Sequence, residues 1–166
     1  MSAQVVLTHT FKAPRELVFK AFTESGHLQN WWGPKGWKFH VAKADFRSGG
    51  EFLYSQQPDE GDIMWIKFSY SEVLAPEKIV YINVFSDEHG NIVRAPFDPN
   101  WPLKTKNTLT FIEEEGKTIL TIVTAPESPT EEELRTFEAF QGVIREGFTG
   151  TFDQLAEYVT TIAPAE

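Results

Sequence analysis

Ser128–Tyr158 reads SPTEEELRTFEAFQGVIREGFTGTFDQLAEY, and its periodicity governs how the rest of the chain must be arranged. Thr130, followed by Glu131, Glu132 and Glu133, supplies a helix cap and acidic side chains against the positive end of the helix dipole. From there Leu134, Phe137, Gln141, Ile144, Phe148, Thr151, Leu155 and Tyr158 recur at steps of three and four. That spacing draws one largely apolar stripe along a helix of about thirty residues. It predicts a continuous rod from Leu134 to Tyr158, interrupted in polarity by Gln141 and Thr151 and thinned at Gly147. Such a stripe needs a broad partner surface.

The upstream strands provide that surface. Asn107 to Glu113 and Lys117 to Thr124 flank Glu114-Glu115-Gly116 as a hairpin. Trp37 to Phe46, Glu51 to Gln57, Asp62 to Leu74 and Ile79 to Phe85 also read as strands, and three turns separate them. These turns are Ser48-Gly49-Gly50, Pro58-Asp59-Glu60-Gly61 and Ala75-Pro76-Glu77, at spacings that suit successive antiparallel hairpins. Gln4 to Lys12 alternates and is rich in β-branched residues, so it reads as the first strand. Pro14 then opens a short amphipathic helix carrying Leu17, Val18, Ala21 and Phe22, and a second runs from Glu24 to Trp31 before the breaker Gly33-Pro34-Lys35-Gly36. The order predicts an α+β fold of one domain over residues 1–166. In it a curved antiparallel sheet of six to seven strands wraps the C-terminal helix, with two short helices after the first strand.

Composition narrows the function classes. The chain has no cysteine, which excludes disulfides, thiolate nucleophiles and cysteine-ligated metals. A formal net charge of −9 repels phosphate backbones and anionic lipid surfaces, so nucleic acid is not the expected partner. Met1 to Lys12 lacks an export-signal pattern and no apolar run approaches the roughly 20 residues of a membrane span, which points to a cytoplasmic protein without membrane insertion. His9, His27, His40 and His89 show no metal-ligand spacing, so neither a metal nor a cofactor is expected. Aromatic residues make up 14% of the chain, which fits either a core filled by large rings or a cavity walled by them.

Several segments together resemble one family. They are Phe11-Lys12-Ala13-Pro14-Arg15-Glu16-Leu17-Val18-Phe19, Leu28-Gln29-Asn30-Trp31-Trp32-Gly33-Pro34, and Asp45-Phe46-Arg47-Ser48-Gly49-Gly50-Glu51-Phe52. To these add Glu72 through Val80, Thr110-Phe111 with Gly116-Lys117-Thr118, and Gly147-Phe148 with Phe152-Asp153-Gln154-Leu155. In order and spacing the chain resembles the START-like helix-grip (SRPBCC) superfamily. Within it, the similarity is to the branch of the C-terminal domain of the activator of heat-shock-protein-90 ATPase. The resemblance implies a deep cavity between sheet and C-terminal helix, used in the superfamily for lipids, polyketides, hormones or aromatic compounds. A chaperone partner is implied by that analogy alone, and a fold shared by carriers, cyclases and co-chaperones does not settle function.

The expected guest is a hydrophobic or aromatic small molecule. The candidate wall residues are Trp31, Trp32, Trp37, Tyr54, Trp65, Tyr81, Phe85, Gln141, Ile144 and Phe148. Trp31 and Trp32 either wall the cavity or cork the core, and strand parity leaves open which of Tyr54, Trp65, Tyr81, Asn83 and Phe85 face inward. Gln141 is expected to bond a backbone group or a ligand. A cyclase- or hydrolase-like alternative has His40 or Tyr81 moving a proton in the same cavity. Ser86 to Leu103, with Phe97 and Trp101, is long enough to be a lid or a loop packed on the body. Asp45 and Arg47 are expected to pair and fix the glycine turn, and a homodimer is compatible with all of this.

Overall fold

The computed structural model describes residues 4–33 and 36–162, so Pro34 and Lys35 of the expected breaker lie outside the described residues. The elements are β1 (Val5–Phe11), α1 (Arg15–Thr23), α2 (Ser25–Leu28), β2 (Lys38–Ala44), β3 (Glu51–Gln57), β4 (Met64–Leu74), β5 (Lys78–Ser86), β6 (Thr105–Glu114), β7 (Lys117–Pro126), α3 (Glu131–Ala139) and α4 (Gln141–Ile162). Seven antiparallel strands form one sheet in the order β1-β7-β6-β5-β4-β3-β2. This is the α+β helix-grip arrangement. At the β6–β7 hairpin Glu114 pairs with Lys117 across Glu115 (φ 54) and Gly116 (φ 75). Both turn residues take the left-handed conformation that a two-residue hairpin needs to match strand twist.

Register determines which side chains share a face, because directly paired residues point the same way and neighbours along a strand point oppositely. Tyr54 opposes Ile66, which opposes Phe85, and Phe52 opposes Phe68, which opposes Asn83. Tyr70 opposes Tyr81, and Tyr81 opposes Asn107. These residues form the inner face. Against it pack Val18, Phe19, Ala21 and Phe22 of α1 and Phe152, Leu155 and Val159 of α4, all buried.

The rod expected from Leu134 to Tyr158 is broken. Phe140 separates α3 from α4 with φ −98 and ψ 5, and its N–H reaches back to the carbonyls of Thr136 and Phe137. The stripe could not reveal this because its spacing continues through the break, whereas the aromatic neighbours that exploit the break come from far away in sequence. Phe140 lies 5.8 Å ring to ring from Phe97 and 5.6 Å from Trp101, and Phe137 lies 5.8 Å from Trp101. Beyond the break, Gln141 Nε2 donates to Gln4 O at 3.4 Å and Arg145 Nη1 donates to Val6 O at 2.9 Å. Thus α4 runs along β1 and satisfies carbonyls of an edge strand that would otherwise be open to pairing.

Between β5 and β6 the chain packs on the body. A Cβ at Gly90 would sit 3.6 Å from Lys67 Cδ and 3.9 Å from Leu53 Cδ2, on the outer face of the sheet. Further on, Arg94 Nη1 donates to Glu133 Oε2 at 2.6 Å and to Trp101 O at 3.3 Å. Phe97 stands edge-on to Phe85 at 5.6 Å. Ser86 to Leu103, expected as a lid or a packed loop, lies packed on the body.

Candidate functional site

α1, α2 and the turn after them close one end of the inner face. Trp31 is only 2% exposed, its indole N–H donates to Ala21 O at 3.1 Å, and Phe22 meets it edge-on at 4.7 Å. It corks the core. Trp32 is half-buried, and its indole N–H donates to the Tyr54 hydroxyl at 2.9 Å while its ring stands edge-on to Trp31 (5.4 Å) and Phe68 (5.8 Å). Gln154 of α4 holds this turn, donating through Nε2 to Trp31 O at 2.9 Å and Gly33 O at 2.8 Å.

A cavity of ≈ 10 Å³ remains beneath Trp32. Phe22, Leu28 and Trp32 line it from the helical side, and Phe68, Tyr70, Ile79, Tyr81 and Leu109 from the sheet. That is room for about one water and far below the ~300–1,000 Å³ of small-molecule pockets. The deep cavity that the resemblance implies is therefore filled by the protein's own rings in this conformation. Phe68 stacks on Tyr81 at 4.1 Å and Tyr54 on Phe52 at 4.8 Å, so the fill is close-packed and aromatic.

Three phenols give the space its polarity. Tyr54, Tyr70 and Tyr81 are 3%, 6% and 5% exposed. Burial pushes all three hydroxyls well above the ordinary tyrosine value, against the opposing indole N–H in the case of Tyr54. They are held neutral, as donors. Tyr54 accepts from Trp32, but among the described residues no side chain or backbone group bonds the hydroxyls of Tyr70 and Tyr81. Neither oxygen is sealed from solvent, since His9 Nδ1 is the one buried side-chain polar atom that is both sealed and partnerless among the described residues.

The expected wall residues divide accordingly. Trp32 and Tyr81 line the cavity, and Tyr54 touches it through Trp32. Trp65 does not belong: it opposes Ser55, one position from the Tyr54–Ile66 pair, so it faces outward. There it meets His40 edge-on at 6.4 Å. His40 is exposed on that same outer face, opposite Ser55, and so cannot act on a guest inside. Trp37 is half-buried just ahead of β2 and does not line the cavity. Phe85 faces inward but at the far end, against Phe97. Gln141 bonds the Gln4 backbone, Ile144 is half-buried on α4, and Phe148 stacks on Phe152 at 5.9 Å as part of the core. Sequence reasoning missed Phe22, Leu28, Phe68, Tyr70, Ile79 and Leu109 of the lining, and Gln154 behind it. Once Tyr54 is placed inward, antiparallel pairing with Ile66 selects Phe68 and Tyr70, yet nothing in the sequence states that register.

No helix of the described residues is long and apolar enough to cross a membrane. Solved structures with similar folds come from several bacteria. One from Staphylococcus epidermidis is 25% identical, with a TM-score of 0.79 over 100% of this chain and 94% of that one. One from Mycobacterium smegmatis is 24% identical, with a TM-score of 0.76 over 94% and 90%. One from Arthrobacter aurescens is 22% identical, with a TM-score of 0.80 over 99% and 89%. No curated protein matches the chain. The family described as Activator of Hsp90 ATPase homolog 1-like protein matches residues 12–160. The chain belongs to that family, a START-like helix-grip domain of the kind that encloses ligands between sheet and helix.

Proposed function

We propose that this protein binds a hydrophobic or aromatic small molecule on the inner face of the sheet, in space that Trp32 occupies when no guest is present. The observation that carries this reading is the pair of neutral hydroxyls of Tyr70 and Tyr81, without a partner among the described residues, bordering the cavity under Trp32. Each oxygen keeps contact with solvent, so water can complete its hydrogen bonds until a polar group of a guest takes that place. A site that takes a guest keeps such hydroxyls ready. Trp32 is the ring placed to give way. It is half-buried, it hangs on one side-chain hydrogen bond, and it sits on a turn outside any helix or strand. Guest binding exchanges its ring contacts for equivalent ones, so the net affinity reflects the difference between two aromatic fills.

A carrier reading is favoured over a catalytic one by the positions of the titratable groups. His40 lies on the wrong face, and the raised phenols of the cavity resist giving up protons near neutrality. A co-chaperone role rests on the family description alone. A cytoplasmic setting suits a chain without cysteine.

Native mass spectrometry of protein purified from the organism it comes from tests the proposal. The expected spectrum carries a stoichiometric adduct that organic extraction removes and that Trp32→Ala retains. A spectrum of bare protein before and after extraction, in both forms, contradicts it.

A further inference from the structure

Next to Tyr81 the inner face carries a polar row. Tyr81 opposes Asn107, Asn107 opposes Thr124, and Asn83 opposes Thr105. Asn107, Thr105 and Thr124 are 2%, 5% and 4% exposed, and Asn83 is half-buried. Asn107 Nδ2 donates to Asn83 Oδ1 at 2.8 Å and to Thr105 O at 3.4 Å, and Thr105 Oγ1 donates to the same Asn83 oxygen. The Thr105 carbonyl fixes the sense of both amides, because turning Asn107 over sets its oxygen against two other oxygens. The network therefore consumes the nitrogen of Asn107 and the oxygen of Asn83.

What it leaves over is complementary. The Asn83 Nδ2 donor, the Asn107 Oδ1 acceptor and the Thr124 hydroxyl have no partner within the chain among the described residues, and none is sealed from solvent. A spare donor beside a spare acceptor matches a group that accepts and donates side by side. The surroundings reject charge: inward positions 79, 81, 83 and 85 of β5 and 105, 107, 109 and 111 of β6 carry no Lys, Arg, Asp or Glu. These two strands offer an ionised head no counter-charge to offset its desolvation. The row is also continuous with the aromatic cavity, since Phe68 opposes Asn83, stacks on Tyr81 and meets the ring of Trp32.

We propose that the Asn83–Thr105–Asn107 network, with Thr124, is a subsite for an uncharged donor–acceptor head group, a carboxamide or lactam, borne by the guest whose apolar part displaces Trp32. This rests on the small-molecule reading above and adds the chemistry of the head.

Naphthalene, 2-naphthamide and 2-naphthoate, titrated into the full chain at neutral pH with the asparagine side-chain amide resonances followed by NMR, separate the two claims. The amide is expected to bind about tenfold tighter than naphthalene or the carboxylate, as one or two net hydrogen bonds allow. It alone is expected to shift the Asn83 and Asn107 side-chain signals. Asn107→Leu should reduce the amide-to-hydrocarbon ratio to about one. Asn83→Asp should lower the ratio too, since it keeps the acceptor that Thr105 and Asn107 use and removes the spare donor. Equal affinity of naphthalene and naphthamide in the wild type overturns the subsite and leaves the small-molecule reading intact, and a carboxylate bound as tightly as the amide overturns the uncharged head. Failure of all three probes to bind overturns both. Should Asn107→Leu not fold, the wild-type series and Asn83→Asp decide.

Discussion

Gly50 shows how tightly single positions constrain the approach of strand to strand. A Cβ there would sit 2.1 Å from the Asp45 carbonyl oxygen, a backbone atom held by its neighbours. Gly50→Ala is therefore expected to destabilise the fold by about 3 kcal/mol, at the upper end of overpacking effects, and a urea midpoint equal to wild type contradicts this. The neighbouring Asp45–Arg47 pair forms at 2.9 Å as the sequence suggested, but Arg47 is 74% exposed. Arg47→Ala should shift the midpoint little, since exposed pairs contribute about 0–1 kcal/mol. At this scale the sequence was legible wherever chemistry is local: the glycine turn, its ion pair and the two-residue hairpin. Across strands it was not. Trp65 and Phe68 are both large aromatics on one strand, and only their pairing with Ser55 and Phe52 of the neighbouring strand tells which one faces inward.

Among the elements, α3 shows both outcomes. Its start was legible because a capping box is a short-range pattern: Thr130 Oγ1 accepts from Glu133 N at 3.1 Å while Glu133 Oε1 accepts from Thr130 N at 3.0 Å. Thr130→Ala should lower stability by about 1 kcal/mol. Its end was not legible, because Phe97 and Trp101, which engage Phe140, lie on a loop whose path no local rule predicts. Glu133 ties the two together. Burial works against its ionisation, but the Thr130 N–H, the Arg94 guanidinium and the Leu103 backbone outweigh it and hold the carboxyl below its ordinary value. A carboxyl with a depressed folded value contributes stability above the unfolded value, and loses it as pH falls through the folded one. Arg94→Ala should thus destabilise by about 1–2 kcal/mol at pH 7, discounted because Arg94 is 46% exposed. The difference from wild type should shrink in acid. A difference that grows on acidification contradicts the assignment.

For the whole molecule, the sequence conveyed topology because hydrophobic period, turn chemistry and element order all agreed on one sheet and one C-terminal helical arm. It did not convey how much room that arrangement leaves, which depends on side chains from five elements converging on a cavity of ≈ 10 Å³. The buried phenols provide a global readout. Three of the four tyrosines have folded values raised by burial, so the unfolded chain releases its phenolic protons first. Stability is complete below about pH 10, the unfolded tyrosine value, and declines above it. Phenolate absorbance should rise together with loss of ellipticity, and a reversible titration of all tyrosines in folded protein contradicts the burial described.

The proposed function has Trp32 and a guest compete for one space, so naphthalene affinity measured by calorimetry in wild type and Trp32→Ala addresses that proposal most directly. Removing the indole leaves a lined apolar space that need not be vacated, comparable in kind to the engineered cavity of about 150 Å³ that binds benzene. The expected result is one-to-one binding in both, at least about tenfold tighter in the variant. Equal affinity in the two proteins, or binding in neither, contradicts it.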